Sequence, residues 1–262
     1  MAVTIGLQQA NGWAHKATPV SPYCFQRVRR WIQCPLTRII HRLSPLRQTV
    51  NSPGEATAFF MKTVYLIRHA QSHLNPGVSY EDWPLSEQGR LQALRLASFL
   101  NALKIEEVYC SPYLRCRQTI DPFLQARGLS MTLINDLREH LITREIREDF
   151  FEIWKKSCDD FDFVVDGGES SRQCQQRIVP AITEIVRNSD ASEFAIVSHG
   201  NAIGLFLNFL ASDFGYTNAE QIRNPDIFQI EFKDDSFHWK REFSPDPLDQ
   251  FASGFRETPI DE

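Results

Sequence analysis

The chain has 262 residues, 42% of them hydrophobic, and a formal net charge of −5. This is enough apolar content for one large domain or two small ones, and the acidic balance argues against a nucleic-acid-coating role. No apolar run reaches the ~18 residues that mark a membrane span.

Charge is unevenly spread. Residues 1–60 hold seven Lys/Arg and a single acid, Glu55, for a net +6, whereas residues 61–262 hold 21 basic and 32 acidic residues, for a net −11. The first segment shows neither helical nor strand periodicity and carries scattered prolines and a basic patch around Arg27, Arg29 and Arg30. Three readings fit it: a targeting peptide, a disordered arm, or a translated region upstream of a true start at Met61. The compartment follows from that choice, cytoplasmic for a start at Met61 and organellar for a targeting peptide. The six cysteines (Cys24, Cys34, Cys110, Cys116, Cys158, Cys174) show no CxxC pair and no zinc-ligand spacing. They are read as reduced thiols, which favours an intracellular compartment.

From Met61 the pattern becomes regular. An apolar run predicts a strand over 62–68 that stops abruptly at Arg68-His69. A polar loop, Ser72 to Pro84, leads to a helix over 86–103, with Ser86 as N-cap and Leu91, Leu94, Ala97, Leu100 and Leu103 at helical spacing. Val108-Tyr109-Cys110 reads as a short strand. Pro112 suits the first turn of a helix running to Ala126 and ended by Gly128. Met131 to Ile134 reads as a third strand, and a helix is expected over 142–157. After the Gly167-Gly168 loop, Ser170 or Ser171 caps a helix with Ile178, Ala181, Ile182, Ile185 and Val186 on one face, although Pro180 conflicts with a helix interior. Phe194 to Val197 is a buried strand, and Ala202 to Leu210 a very apolar helix. Residues 227–232 and 237–243 alternate as a closing hairpin around Asp234-Asp235, and residues 244–262 form an irregular tail. Strands alternating with helices predict an α/β three-layer sandwich, a mainly parallel central sheet with helices on both faces.

Two strands end in a histidine, His69 and His199, and a third leads through Ser111-Pro112 to Arg115. If these strands share one parallel sheet, two imidazoles and two guanidiniums (Arg68 and Arg115) converge at its carboxyl edge. That is an anion site, and the planar guanidinium fork makes phosphate the natural ligand. The helix after Gly200 adds its N-terminal amides and dipole to the same site.

At these residues the chain resembles the histidine phosphatase family, the branch that includes phosphoglycerate-mutase-like enzymes. Its Arg-His-Gly-(Glu/Gln)-(Ser/Thr)-x-x-Asn motif is similar to Arg68-His69-Ala70-Gln71-Ser72-His73-Leu74-Asn75. Five further segments follow in order: Pro84 to Ala93, Ser111 to Thr119, Leu137-Arg138-Glu139, Gly168-Glu169-Ser170 and Ser198-His199-Gly200. The resemblance implies His69 as a nucleophile that forms a phosphohistidine and Glu139 as general acid and base. It implies Arg68, Arg115 and His199 as phosphate-binding residues, with Asn75 beside the phosphate. It implies no metal and no cofactor. The expected partner is a small phosphorylated substrate, a phosphoprotein not being excluded, with no nucleic acid and no membrane span; the oligomeric state is open. His73 and His140 match no catalytic position and are read as solvent-facing or substrate-adjacent. Arg117 is read as a rim charge, and Trp154 and Phe161 as core or lid packing.

Two departures bear on the reaction. Ala70 stands where the family most commonly has Gly, and only 29 residues separate Glu139 from Glu169. The resemblance implies a considerably longer, enclosing insertion in the mutases, so a shorter cover favours hydrolysis. The expected activity is a metal-independent phosphomonoester phosphatase. The alternatives are a phosphoglycerate-mutase-type phosphotransferase and a non-catalytic phospho-ligand binding protein.

Overall fold

The computed structural model describes residues 61–243, apart from Ile146 and Asp166. The expected extension over 1–60 and tail over 244–262 lie outside the described residues.

The first strand, β1 (Lys62–Arg68), is buried on both faces, which is why it reads as a continuous apolar run. Its side chains alternate. Val64 and Leu66 join one core cluster, and Tyr65 and Ile67 join another. Strand β4 (Glu193–Ser198) does the same, with Phe194 and Ile196 on the first side and Ala195 and Val197 on the second. Each core is one face of the sheet sealed by helices. Helices α1 (Glu87–Leu100) and α2 (Leu114–Arg127) contribute Leu96, Leu100, Ile120 and Phe123 to one. Helices α4 (Ser171–Asn188) and α5 (Gly200–Leu210) contribute Ile178, Ile182, Ala202 and Phe206 to the other.

Six strands form the sheet in the order β3-β2-β4-β1-β5-β6, where β2 is Glu107–Cys110, β3 Met131–Leu133, β5 Asp226–Lys233 and β6 Ser236–Trp239. β1 to β4 pair in parallel, and β5 and β6 add an antiparallel edge. The predicted α/β architecture is the observed one. The closing hairpin turns on Asp234 and Asp235, both with positive φ (53° and 60°), as a two-residue turn of primed type requires.

Several boundaries differ from expectation. The buried face of α1 is Ala93, Leu96, Ala97 and Leu100, whereas Leu91 and Leu94 are exposed, and the helix ends at Leu100. Pro112 precedes α2, which starts only after Tyr113. The helix expected over 142–157 is α3, Phe150–Asp159. Upstream of it, side chains take up the local backbone instead: Thr143 Oγ1 donates to the Glu145 carbonyl, and Arg144 Nε to that of Gly167. The apolar face that drives the helix begins with Phe150, Ile153 and Trp154. Helix α4 runs unbroken through Pro180, because its buried face and a capping box between Ser170 and Gln173 offset the lost hydrogen bond. A one-turn helix, α6 (Tyr216–Ala219), completes the fold.

Gly89 packs α1 onto the loop after β1. A Cβ there would lie 2.0 Å from the Gln71 carbonyl oxygen. Gly89→Ala should therefore destabilise by about 2 kcal/mol or more in urea unfolding, while exposed Gln88→Ala should stay within about 0.5 kcal/mol. Equal effects would contradict the close approach.

Candidate active site

Strands β2, β4 and β1 are neighbours, and their carboxyl ends stop at one level, with Arg68 opposite Ser198 and Cys110 opposite Val197. The ladder runs one residue further on each side: His69 N–H donates to Ser198 O (3.1 Å) and Ser111 N–H to Val197 O (2.9 Å). His69, Ser111 and His199 thus leave the sheet together, and α2 brings Arg115 over them.

His69 is 6% exposed. Its Nδ1 lies 2.7 Å from the Ala70 carbonyl oxygen, and its Nε2 lies 3.3 Å from Arg115 Nε. A carbonyl only accepts and a guanidinium only donates. The two bonds therefore demand the same tautomer, with the proton on Nδ1 and a lone pair on Nε2. The segment carrying the ring is pinned as well. Asn224 Nδ2 donates to His69 O (2.8 Å), Ala70 N–H to Thr119 Oγ1 (2.9 Å) and Gln71 N–H to Gln92 Oε1 (2.9 Å). The Ala70 methyl packs with Leu85 and Ala93 in a small buried cluster, so alanine has a defined place here.

Arg115 is 1% exposed and sits between two aromatic rings, 4.4 Å from the Tyr80 centroid and 4.9 Å from that of Tyr113. Nη1 donates to the Tyr80 carbonyl (2.8 Å), and Nη2 is buried without a hydrogen-bond partner. Arg68 donates to the Ile222 carbonyl. Burial pulls its pKa down to about 10, an effect that Glu139 and Asp226 oppose, so it stays cationic near neutrality. Gly200 lets this guanidinium lie against the start of α5, since a Cβ there would be 3.0 Å from Arg68 Cζ.

His199 is fully buried, 2.8 Å from Ser111 Oγ through Nε2, with its ring edge-on to His69 at 5.2 Å between centroids. Cys116 Sγ lies 3.4 Å from the same nitrogen. Burial pushes that thiol up to about 12, so it packs as a protonated side chain. The described cysteines, 110, 116, 158 and 174, are all free thiols.

Glu139 is 6% exposed. Its carboxylate accepts from His140 N (2.8 Å), Ala202 N (3.0 Å) and, more weakly, Asn201 N (3.5 Å). Two N-terminal amides of α5, expected at the phosphate, are thus taken by Glu139. Asn75 bonds within its own loop: Oδ1 accepts from Gly77 N and its carbonyl from Trp83 Nε1. His73 is exposed, whereas His140 is buried and donates from Nε2 to the Glu169 carbonyl, which removes the solvent-facing alternative for His140 and leaves the substrate-adjacent one.

The structure thus groups His69, Arg68, Arg115, His199 and Glu139. It adds Ser111, Thr119, Tyr80 and Asn224, which sequence reasoning did not single out. Ser111 and Thr119 lay inside a quoted motif, whereas Tyr80 and Asn224 carry no sequence signal.

Comparison with known proteins gives the chain's family and fold. Residues 64–244 match the Histidine phosphatase superfamily (branch 1). A Salmonella choleraesuis protein named "Probable phosphoglycerate mutase GpmB" is 26% identical over 186 residues, covering 66% of this chain and 86% of that one. A Schizosaccharomyces pombe protein named "Probable phosphatase C1687.21" is 43% identical over 77 residues, 28% of this chain and 37% of that one. The solved structure of Bacillus stearothermophilus YhfR superposes with a TM-score of 0.59 at 24% identity, over 71% of this chain and 99% of that one.

Burial, then the charges of Arg115 and Arg68, hold His69 well below its usual pKa of 6.5; burial, Arg115 and His69 do the same for His199. Unfolded histidines protonate near 6.5 while these stay neutral, so the unfolded state binds more protons below that pH. Their stability contribution is complete above ~6.5 and is lost as pH falls below it. The Tm of the free protein should fall between pH 6.5 and 5, above the range where carboxylates titrate, and fall less steeply in His199→Asn. A Tm flat or rising on acidification over that interval would contradict the buried, neutral imidazoles.

Proposed function

The chain belongs to the histidine phosphatase superfamily, and from that premise we propose that it is a phosphomonoester phosphatase working through a phosphohistidine on His69. The observation that carries the reading is the doubly constrained His69 ring. Its Nδ1–H is committed to Ala70, and its Nε2 lone pair meets a guanidinium at the carboxyl edge of the sheet.

An incoming phosphoryl group takes over the Arg115 Nε bond and adds oxygens for Arg68, His199 and the unpartnered Arg115 Nη2. Glu139 takes up the proton that a monoanionic ester brings; Nε2 then attacks phosphorus as the bond to the leaving oxygen breaks, and Glu139 passes that proton to the oxygen. Phosphorus is then bound to Nε2, and Nδ1 keeps its proton on the Ala70 carbonyl. In the second step water attacks phosphorus, Glu139 takes its proton, the P–N bond breaks and inorganic phosphate leaves. The buried cations supply the charge stabilisation.

Hydrolysis rather than transfer is supported by the short cover. Its helix α3 is committed to the core through Ile153 and Trp154. The relative named as a phosphoglycerate mutase makes transfer the competing reading. A panel of phosphomonoesters, assayed beside His69→Ala and Glu139→Gln, separates the readings. Wild type should release inorganic phosphate, His69→Ala should fall to background, and Glu139→Gln should lose about 10²–10⁴-fold. Phosphate exchange between two substrates with little release would identify a mutase, and binding without turnover a phospho-ligand sensor.

A further inference from the structure

The segment that presents Glu139 has no strand to hold it. It follows a single 3-10 turn, Asn135–Leu137, and leads into irregular chain before α3. Where such a stretch is buried, as at Leu137, Glu139 and His140, its backbone carbonyls need donors from elsewhere. Side chains supply them. Arg177, on α4, donates from Nη1 to Asp136 O (2.8 Å) and Arg138 O (2.9 Å), and from Nη2 to Glu139 O (2.9 Å). Ser198 Oγ donates to the remaining carbonyl, that of Leu137 (2.8 Å).

The other guanidinium donors go to Glu169: Nε to Oε1 (2.7 Å) and Nη2 to Oε2 (2.8 Å). A guanidinium has five N–H groups, and here each of the five has an acceptor. The ion pair is well shielded, the side chains being 10% and 15% exposed. Glu169 grips the far side of the same segment. Its N–H donates to Leu141 O (2.7 Å), and its carbonyl accepts from His140 Nε2 (2.8 Å). Gly168 allows that approach, because a Cβ there would lie 2.5 Å from the Ile142 carbonyl oxygen. Glu139 is therefore clamped on both sides in sequence, while its carboxylate rests on the first amides of α5.

We propose that Arg177, locked by Glu169, is a positioning residue for proton transfer: it sets where the Glu139 carboxylate stands relative to the leaving oxygen. The inference rests on the reading of Glu139 as general acid and base. Lysine cannot replace the fork, since an ammonium offers three donors from one point and cannot reach three carbonyls and a carboxylate in this planar arrangement.

A clamp that served stability alone would lower activity on every substrate alike. A positioning clamp discriminates by leaving group, because an alkoxide needs a proton in the transition state and a nitrophenolate does not. The test measures kcat/KM for glycerol phosphate and for p-nitrophenyl phosphate in wild type, Arg177→Lys, Glu139→Gln and the double variant, with folding checked by thermal unfolding. Glu139→Gln should lose ~10²-fold or more on the alkyl ester and under ~10-fold on the aryl ester. Arg177→Lys should show the same imbalance, at least ~10-fold on the alkyl ester, and the double variant should be no slower there than Glu139→Gln, as for residues acting as a unit. Equal losses on both esters in Arg177→Lys, or multiplied losses in the double variant, overturn the clamp while leaving Glu139 in its role. No imbalance in Glu139→Gln overturns both. If Arg177→Lys does not fold, Glu169→Gln, which keeps the shape and removes the partner charge, is measured in the same way and decides.

Discussion

The site depends on three adjacent parallel strands ending at one level. Pairing of β1 with β4 and of β4 with β2 sets Arg68, Ser198 and Cys110 on a common edge, and each chain leaves the ladder with one more hydrogen bond. A one-residue slip in either pairing would turn the side chains of a strand to the opposite face of the sheet. Because β1 and β4 feed cores on both faces, such a slip would also misplace Val64, Leu66, Phe194 and Ile196. Core packing and site geometry are thus the same constraint.

Gathering two guanidiniums and two imidazoles in a buried space is electrostatically costly, and the surroundings show how it is met. The imidazoles stay neutral, which removes two like charges. Arg68 is supported by Glu139 and Asp226. Arg115 is held between Tyr80 and Tyr113, contacts worth up to about 2 kcal/mol each when desolvated. The tyrosine loop, Ser72 to Pro84, therefore does more than border the site, since it carries both the ring and the carbonyl that keep Arg115 in place.

Much of this was legible in the sequence, for a physical reason. A strand buried on both faces leaves a continuous apolar run, and its end is marked where charge begins, as at Arg68-His69 and Ser198-His199. The motifs also turn out to be stitched to one another. Gln118 Oε1 accepts from Leu85 N, Thr119 Oγ1 from Ala70 N, and Gln92 Oε1 from Gln71 N, so three sequence-distant segments lock as one. What remained illegible was set by tertiary contact. Tyr80 and Asn224 act through a ring face and a side-chain amide that no periodicity announces. The start of α3 lies later because the Thr143 hydroxyl takes the Glu145 carbonyl and the apolar face begins only at Phe150. Asn75 fits its motif yet bonds within its own turn.

In the proposed mechanism the His69 tautomer, fixed from both ring nitrogens, makes Nε2 the atom that receives phosphorus. The direct measurement is ³¹P and ¹⁵N NMR of the phosphoenzyme trapped from Glu139→Gln with p-nitrophenyl phosphate, whose leaving group needs no proton, so that only the second step is slow. One phosphohistidine is expected, attached through Nε2 and absent from a His69→Ala/Glu139→Gln control. Phosphate on Nδ1, on another residue, or on none would contradict it.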